Sequence, residues 1–119
     1  GFAGDYVTAM WLMLQQKQAR DYIIATGKMY TVRQFINEAI KHFDFDAYWV
    51  GKKENEKLKL KKNNKTILRI NKKFYRPNEV EILLGDASQT KKFLKWKPSV
   101  DFKKLVKIMS LSDLNIYNK

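Results

Sequence analysis

The chain contains no cysteine and only one histidine, and both shortages limit its chemistry. Without cysteine it can form neither a disulfide nor a thiolate nucleophile. With His42 as its only imidazole, it can assemble neither a histidine cluster for zinc nor a Ser-His-Asp triad. We therefore predict no metal site and interpret His42 as a structural residue near the end of an amphipathic helix, where a cation suits the helix dipole.

Long apolar runs and nucleotide-binding loops are missing as well. The richest apolar stretch, residues 9–14, ends at Gln15, well short of the roughly 20 residues that a membrane helix needs. We therefore expect no membrane partner. No secretory signal opens the chain, and it contains neither a G-x-G-x-x-G fingerprint nor a Walker loop. It begins at Gly1 rather than Met, which raises the expectation of further sequence upstream.

What the chain has in excess is positive charge. Its 119 residues include 24 Lys and Arg against 12 Asp and Glu, for a net charge of +12, while 45% of residues are hydrophobic. That hydrophobic content indicates a folded domain rather than a disordered tail. Two thirds of the excess lies in residues 51–75, where ten basic residues accompany only Glu54 and Glu56.

The lysine-rich stretch from Lys52 to Lys65 allows two interpretations. A cluster of cations could bind phosphate backbones, so a basic binding module acting on nucleic acid or an anionic surface is one hypothesis. The stretch lacks the interleaved aromatics and arginine forks that nucleic-acid readers use. We therefore favour a solvated segment and do not expect nucleic acid as the partner. Leu58 and Leu60 alternate with lysines, as on one face of a hairpin.

Helical and strand patterns alternate along the chain, which predicts an α/β arrangement. Asp5 is the predicted N-cap of the first helix, and Thr31 with Gln34 fits a capping box. Four helices are predicted. The first two cover residues 5–18 and 31–43. The third is short, is capped by Asp86 or Ser88 and runs through Leu94, and the fourth begins at Asp101. The predicted strands cover residues 22–26, 47–50, 66–70 and 80–84.

The segment Phe74 to Val80 offers the most specific chemistry. Pro77 fixes the direction of the chain after Arg76, whose guanidinium fork suits bidentate binding of a phosphate. Glu79, three residues on, could accept hydrogen bonds from sugar hydroxyls. This pair would fit the diphosphate and ribose of a nucleotide, although an Arg–Glu pair that only holds a loop remains the alternative.

Several motifs together resemble the GDP-mannose 4,6-dehydratase family, a group of extended short-chain dehydrogenases. They occur in family order and cover nearly the whole chain apart from Lys52 to about Thr66. They are Gly4-Asp5-Tyr6-Val7, Ala9-Met10-Trp11-Leu12-Met13-Leu14-Gln15, Ile24-Ala25-Thr26-Gly27, Thr31-Val32-Arg33 with Phe35, Phe74-Tyr75-Arg76-Pro77-x-Glu79-Val80, Leu84-Gly85-Asp86 and Trp96-Lys97-Pro98. Lys95 departs from the glycine common before the Trp in related tails.

The resemblance implies an incomplete Rossmann-type α/β fold, of which residues 1–119 are the C-terminal substrate-binding region and residues 52–66 a lysine-rich insertion. It implies that Arg76 contacts the diphosphate and Glu79 the ribose of GDP-mannose. The catalytic residues and the NADP site would lie upstream, with none in this chain. It further implies a cytoplasmic homo-oligomer. Another nucleotide-sugar dehydratase or epimerase remains the related alternative.

Overall fold

The computed structural model describes residues 1–74 and 83–117. They contain four α-helices and one antiparallel sheet of order β1-β2-β3. The helices are α1 (Ala3–Leu14), α2 (Val32–Ala39), α3 (Ser88–Leu94) and α4 (Phe102–Tyr117). The strands are β1 (Ala47–Val50), β2 (Lys57–Leu60) and β3 (Thr66–Arg69). The structure thus contains both helices and strands, consistent with the α/β class expected from the sequence.

The start of α2 confirms the capping box. The backbone N–H of Gln34 donates to Thr31 Oγ1 over 3.1 Å, and the N–H of Thr31 donates to Gln34 Oε1 over 2.7 Å. These two bonds satisfy donors that a helix N-terminus otherwise leaves unpaired. The helix then tightens into a 3₁₀ turn at Ile40–His42, and Asp44 reverses the chain with a φ of 54°.

The sheet packs one of its faces toward α2. Trp49 lies opposite Leu58 in the register, and Leu58 is 1% exposed. The indole N–H of Trp49 donates to Asn37 Oδ1 over 2.8 Å, and the Arg33 guanidinium carbon lies 4.3 Å from the Trp49 ring centroid. Arg33 also forms an ion pair with Glu56. A cation–π contact and two polar bonds therefore hold the sheet against the helix.

Asp5 does not cap α1, so the predicted N-cap is wrong. The cap is Phe2, and the helix runs from Ala3 to Leu14 rather than from Asp5 to Gln18. Asp5 lies in the first turn and is 7% exposed. Its carboxylate accepts from the N–H groups of Ser99 (3.0 Å) and Val100 (3.1 Å) and from the Ser99 hydroxyl (2.6 Å). A carboxylate committed to these distant donors is not free to cap its own helix.

A small core joins α1 to α3. Ala9, Leu94 and Trp96 are 0–5% exposed, and the Trp96 indole N–H donates to the backbone oxygen of Asp5 over 2.9 Å. Trp96 follows Lys95, whose φ of 49° ends α3 in the left-handed conformation that glycine adopts at lower cost.

Asp101 opens α4 as the sequence predicts, whereas neither Asp86 nor Ser88 is the cap residue of α3. Asp86 Oδ1 accepts from the N–H of Ser88 over 2.9 Å, although Ala87 is the formal cap residue of α3. Asp101 Oδ1 accepts from the N–H of Lys104 over 2.8 Å at the start of α4.

The predicted strand at residues 22–26 is wrong. Among the described residues no backbone hydrogen bond joins this segment to a neighbouring strand, whereas Tyr22 and Ile24 pack on the core cluster. The segment passes close to Gly85, where an added Cβ would lie 2.9 Å from the Cβ of Ala25. Within the described residues, its apolar pattern therefore corresponds to side-chain packing on the core. Of the predicted strand at 80–84, residues 80–82 lie outside the described residues, and Leu83 and Leu84 form no strand.

Much apolar surface remains uncovered. The α1 stripe, defined as Val7, Met10, Trp11 and Leu14, is 57–82% exposed. The Cα radius of gyration is 18.5 Å, whereas a compact domain of this length would have about 13–14 Å. No described helix is both long and apolar enough to cross a bilayer.

Asp5→Asn is expected to lower thermal stability at neutral pH, because an amide cannot accept all three bonds as well as a carboxylate. The hydroxyl of Ser99, aided by the backbone donors of Val100 and Ser99, holds the pKa of Asp5 below its ordinary value of 3.8 despite the opposing effect of burial. A depressed folded-state pKa stabilises the fold above 3.8, and this contribution is lost as pH falls through the folded-state value. Melting curves across pH should therefore show the two proteins converging in acid.

Asp44→Asn is the matched control, since Asp44 is exposed and asparagine tolerates its positive φ. A gap between Asp5→Asn and the unsubstituted chain that stays constant well below pH 3.8 would contradict the role given to the carboxylate charge.

Candidate functional site

The two predicted site residues, Arg76 and Glu79, lie outside the described residues, so their contacts stay a prediction. The described residue that follows this segment is Leu83, which is 80% exposed. Leu83 lines a cleft of about 570 Å³ formed by the loop at residues 26–30, the turn before α4 and the first turn of α4. This cleft is the candidate site.

Aromatic rings form one wall of the cleft. Tyr30 and Phe102 stack in parallel, with ring centroids 3.8 Å apart and 7° between the planes. Phe35 contacts Phe102 edge-on, with ring centroids 6.4 Å apart and 68° between the ring planes. α2 supplies Phe35 and α4 supplies Phe102, so the contact between these two helices fixes the wall. Such a wall presents flat apolar area at low entropic cost.

A tight turn places Lys28 at the cleft. Gly27 has a φ of 73°, and the Thr26 hydroxyl donates to the backbone oxygen of Lys28 over 3.2 Å. Because Gly27 directly precedes Lys28, the geometry of this turn decides where the Lys28 side chain begins.

A second part of the cleft wall depends on Asp5. Pro98, Ser99 and Val100 line the cleft, and the Asp5 carboxylate holds the backbone of Ser99 and Val100. The same bonds lower the pKa of Asp5, above all the one from the Ser99 hydroxyl, so its charge is stabilised within the wall. Asp5 is therefore a structural anion and not a free acid or base.

The cleft lining carries more positive than negative charge. Lys28 and Lys104 line it together with Asp101, whose carboxylate accepts from the Lys104 backbone N–H. Two lysines beside stacked rings suit an anionic ligand that also carries a flat ring. The sequence patterns did not identify Lys28, Tyr30 or Phe102 as site residues. Lys28 nevertheless directly follows the motif that ends at Gly27, and Tyr30 directly precedes Thr31.

Metal-ligating side chains do not cluster in the described part of the chain. In residues 1–74 and 83–117 no group of three His, Asp or Glu side chains could hold a metal ion. His42 is absent from the cleft lining, and its Nε2 is buried without a described partner. What the cleft offers is binding: cations, an aromatic wall and a rigid turn.

Comparisons with known proteins agree on one family. The family model described as GDP-mannose 4,6 dehydratase matches residues 1–109, a range that includes residues 52–66. The chain is 43% identical to the GDP-mannose 4,6 dehydratase of Dictyostelium discoideum, over 96% of this chain and 32% of the relative. It is 42% identical to the enzyme of that name from Homo sapiens, over 98% of this chain and 31% of the relative. It is 43% identical to the one from Drosophila melanogaster, over 100% of this chain and 30% of the relative. The chain thus spans about a third of the length of these curated relatives.

Gly27→Ala is expected to destabilise the fold by about 1 kcal/mol, because an L side chain is disfavoured at positive φ. An added Cβ would meet only Lys91 Nζ, at 3.8 Å, so the cost arises from the backbone and not from a clash. Denaturant unfolding should show a lower midpoint at an unchanged slope. Gly27→Asn, which adopts this conformation more readily, should cost less, and equal losses for both variants would contradict the argument.

Proposed function

The chain belongs to the GDP-mannose 4,6 dehydratase family, and from that premise we propose that residues 1–119 are the C-terminal, substrate-binding region of such an enzyme. The observation that carries the proposal is the family match over residues 1–109. In this proposal the enzyme converts GDP-mannose to GDP-4-keto-6-deoxymannose with loss of water. The contribution of this chain is to bind the nucleotide sugar.

Arg76 and Glu79 are the proposed substrate contacts. In the proposal the guanidinium of Arg76 binds the diphosphate and the carboxylate of Glu79 accepts from the ribose hydroxyls. Leu83, which lines the cleft, follows Glu79 by four residues, and four residues span at most about 14 Å. The positive lining of the cleft, from Lys28 and Lys104, would add to the attraction for the diphosphate.

NADP and the proton-transferring residues are assigned to the part of the enzyme that this chain does not span. The chain does not fit the cofactor by itself, since its sequence contains no glycine-rich phosphate loop. In the complete enzyme the cofactor would supply the hydride chemistry. Three parts of the proposal rest on the family alone: the Rossmann-type arrangement, the homo-oligomer and the cytoplasmic location. We also propose that residues 52–66 are a lysine-rich insertion within this region.

The exposed apolar surface of α1 supports the proposal that this chain is one part of a larger enzyme. The α1 stripe presents Trp11, 60% exposed, and Leu14, 82% exposed, along one side of the helix. A lone soluble domain seldom leaves such a stripe bare. We assign it to contact with the remaining two thirds of the family polypeptide.

Arg76→Ala, placed in the complete enzyme, should weaken GDP-mannose binding by about 1.5–3 kcal/mol, the usual size of a hydrogen-bonded contact to a charged group. That corresponds to an increase in Kd of roughly ten- to more than a hundredfold. Titration calorimetry with GDP-mannose gives the value directly.

Lys73→Ala is the matched control, because it removes the same charge from a nearby exposed residue. Its effect on the Kd should be slight. If Arg76→Ala binds GDP-mannose as tightly as the unsubstituted enzyme, the substrate contact assigned to Arg76 is wrong.

The isolated 119-residue chain should show no dehydratase turnover, because the proposal assigns the cofactor and the catalytic groups to another part of the enzyme. Incubation with GDP-mannose and NADP, followed by chromatography for the 4-keto product, tests this. Product from the purified chain alone, absent in a mock purification from the same host, would overturn the assignment.

A further inference from the structure

The sheet has two faces of different chemistry. Side chains directly opposite each other in an antiparallel register share a face, and the faces alternate along each strand. Trp49, Leu58 and Leu68 are aligned on the face toward α2. Ala47 and Leu60, which lie opposite each other, share that face, whereas Val50 and its opposite neighbour Lys57 lie on the other one. We define the basic sheet face as Tyr48 and Lys59, which lie opposite each other, together with Lys57 and its opposite neighbour Arg69.

The three cations of the basic sheet face have no ion-pair partner among the described residues. The nearby acids are engaged elsewhere: Glu56 with Arg33, Glu54 with Lys72 and Asp46 with Lys61. Lys57 and Arg69 also lie directly opposite each other, an arrangement in which like charges repel. A polyanion bound between Lys57 and Arg69 would offset this repulsion, because each cation would be attracted to a phosphate.

The proposed dehydratase function does not account for this face. None of its four residues lines the cleft. Lys57 and Arg69 are exposed, and Lys59 and Tyr48 are half-buried, so the cations are open to a partner. The face therefore represents a second surface, separate from the candidate substrate site.

The sequence alone favoured a solvated segment, because the stretch from Lys52 to Lys65 contains neither an aromatic ring nor an arginine. The sheet supplies both, since it places Tyr48 beside Lys59 and Arg69 beside Lys57. We therefore propose that the basic sheet face binds the phosphate backbone of single-stranded nucleic acid. Lys57 and Lys59 are two residues apart on one strand, which spaces their Cα atoms by about 7 Å. Lysines act as point charges toward phosphates, and Arg69 adds a guanidinium fork.

Tyr48 favours a nucleic acid over an acidic peptide. Its hydroxyl donates to Asn64 Oδ1 over 2.7 Å, which fixes the ring beside Lys59. A fixed aromatic ring next to cations provides a stacking surface for a base, as single-strand binding surfaces do. The carboxylates of an acidic peptide would pair with the cations alone and would have no use for this ring.

The test is fluorescence anisotropy of the whole chain with a labelled single-stranded DNA of about 16 nucleotides. With three phosphate contacts, the logarithm of the binding constant should fall with the logarithm of salt at a slope of about −2. Replacing Lys57, Lys59 and Arg69 together by Gln should weaken binding at low salt at least tenfold and flatten that slope. Tyr48→Leu should weaken binding severalfold, whereas Tyr48→Phe, which keeps the ring and loses only its bond to Asn64, should weaken binding less.

The matched control replaces Lys17, Lys97 and Lys107 by Gln, which removes the same charge from exposed positions outside the sheet. Circular dichroism melts establish that both triple variants fold. Equal losses in the two triple variants would show that diffuse net charge drives binding, and would overturn the proposal. So would the absence of binding at low salt, or tighter binding of poly-glutamate than of DNA under the same conditions. GDP-mannose binding by the complete enzyme is measured separately, so the two proposals fail independently.

Discussion

The Asp5 carboxylate joins two parts of the chain that are 94 and 95 residues apart, and the rest of the fold depends on this junction. By holding Ser99 and Val100, it fixes both the wall of the cleft and the point from which α4 begins. The backbone oxygen of the same residue receives the Trp96 indole N–H, which places Trp96 in the core. A structure with so small a core relies on such a multiply bonded buried anion, because few apolar contacts could replace it.

Local signals in the sequence predicted local structure well. The capping box of Thr31 and Gln34 depends on residues three apart, and it is confirmed together with the helix that follows. Strands β1 and β3 were predicted nearly to the residue, because apolar and β-branched runs bounded by polar turns leave few alternatives. Asp101 was likewise identified correctly at the start of α4, where its partner is only three residues away.

The incorrect and missing predictions depend on distant residues. Asp5 resembles a cap because the residue type suits one, yet its partners lie near the other end of the chain. The run from Tyr22 to Thr26 resembles a strand, although a continuous apolar run does not specify whether another strand is there to pair. The aromatic wall of the cleft, with Tyr30 stacked on Phe102, combines residues 72 positions apart, so neither marks a site by its own neighbourhood. The sequence did identify Arg76 and Glu79, and their roles stay predictions.

The alternation of the two sheet faces also has an evolutionary consequence. Trp49 and Leu58 are constrained by the helix on which they pack, whereas Lys57 and Lys59, one residue away on either side of Leu58, meet no such constraint. Substitutions at the outward positions can therefore accumulate without disturbing the packed ones. A lineage could change the sign or density of charge on this face while selection preserved the inner face, so a new surface property could arise within an unchanged fold.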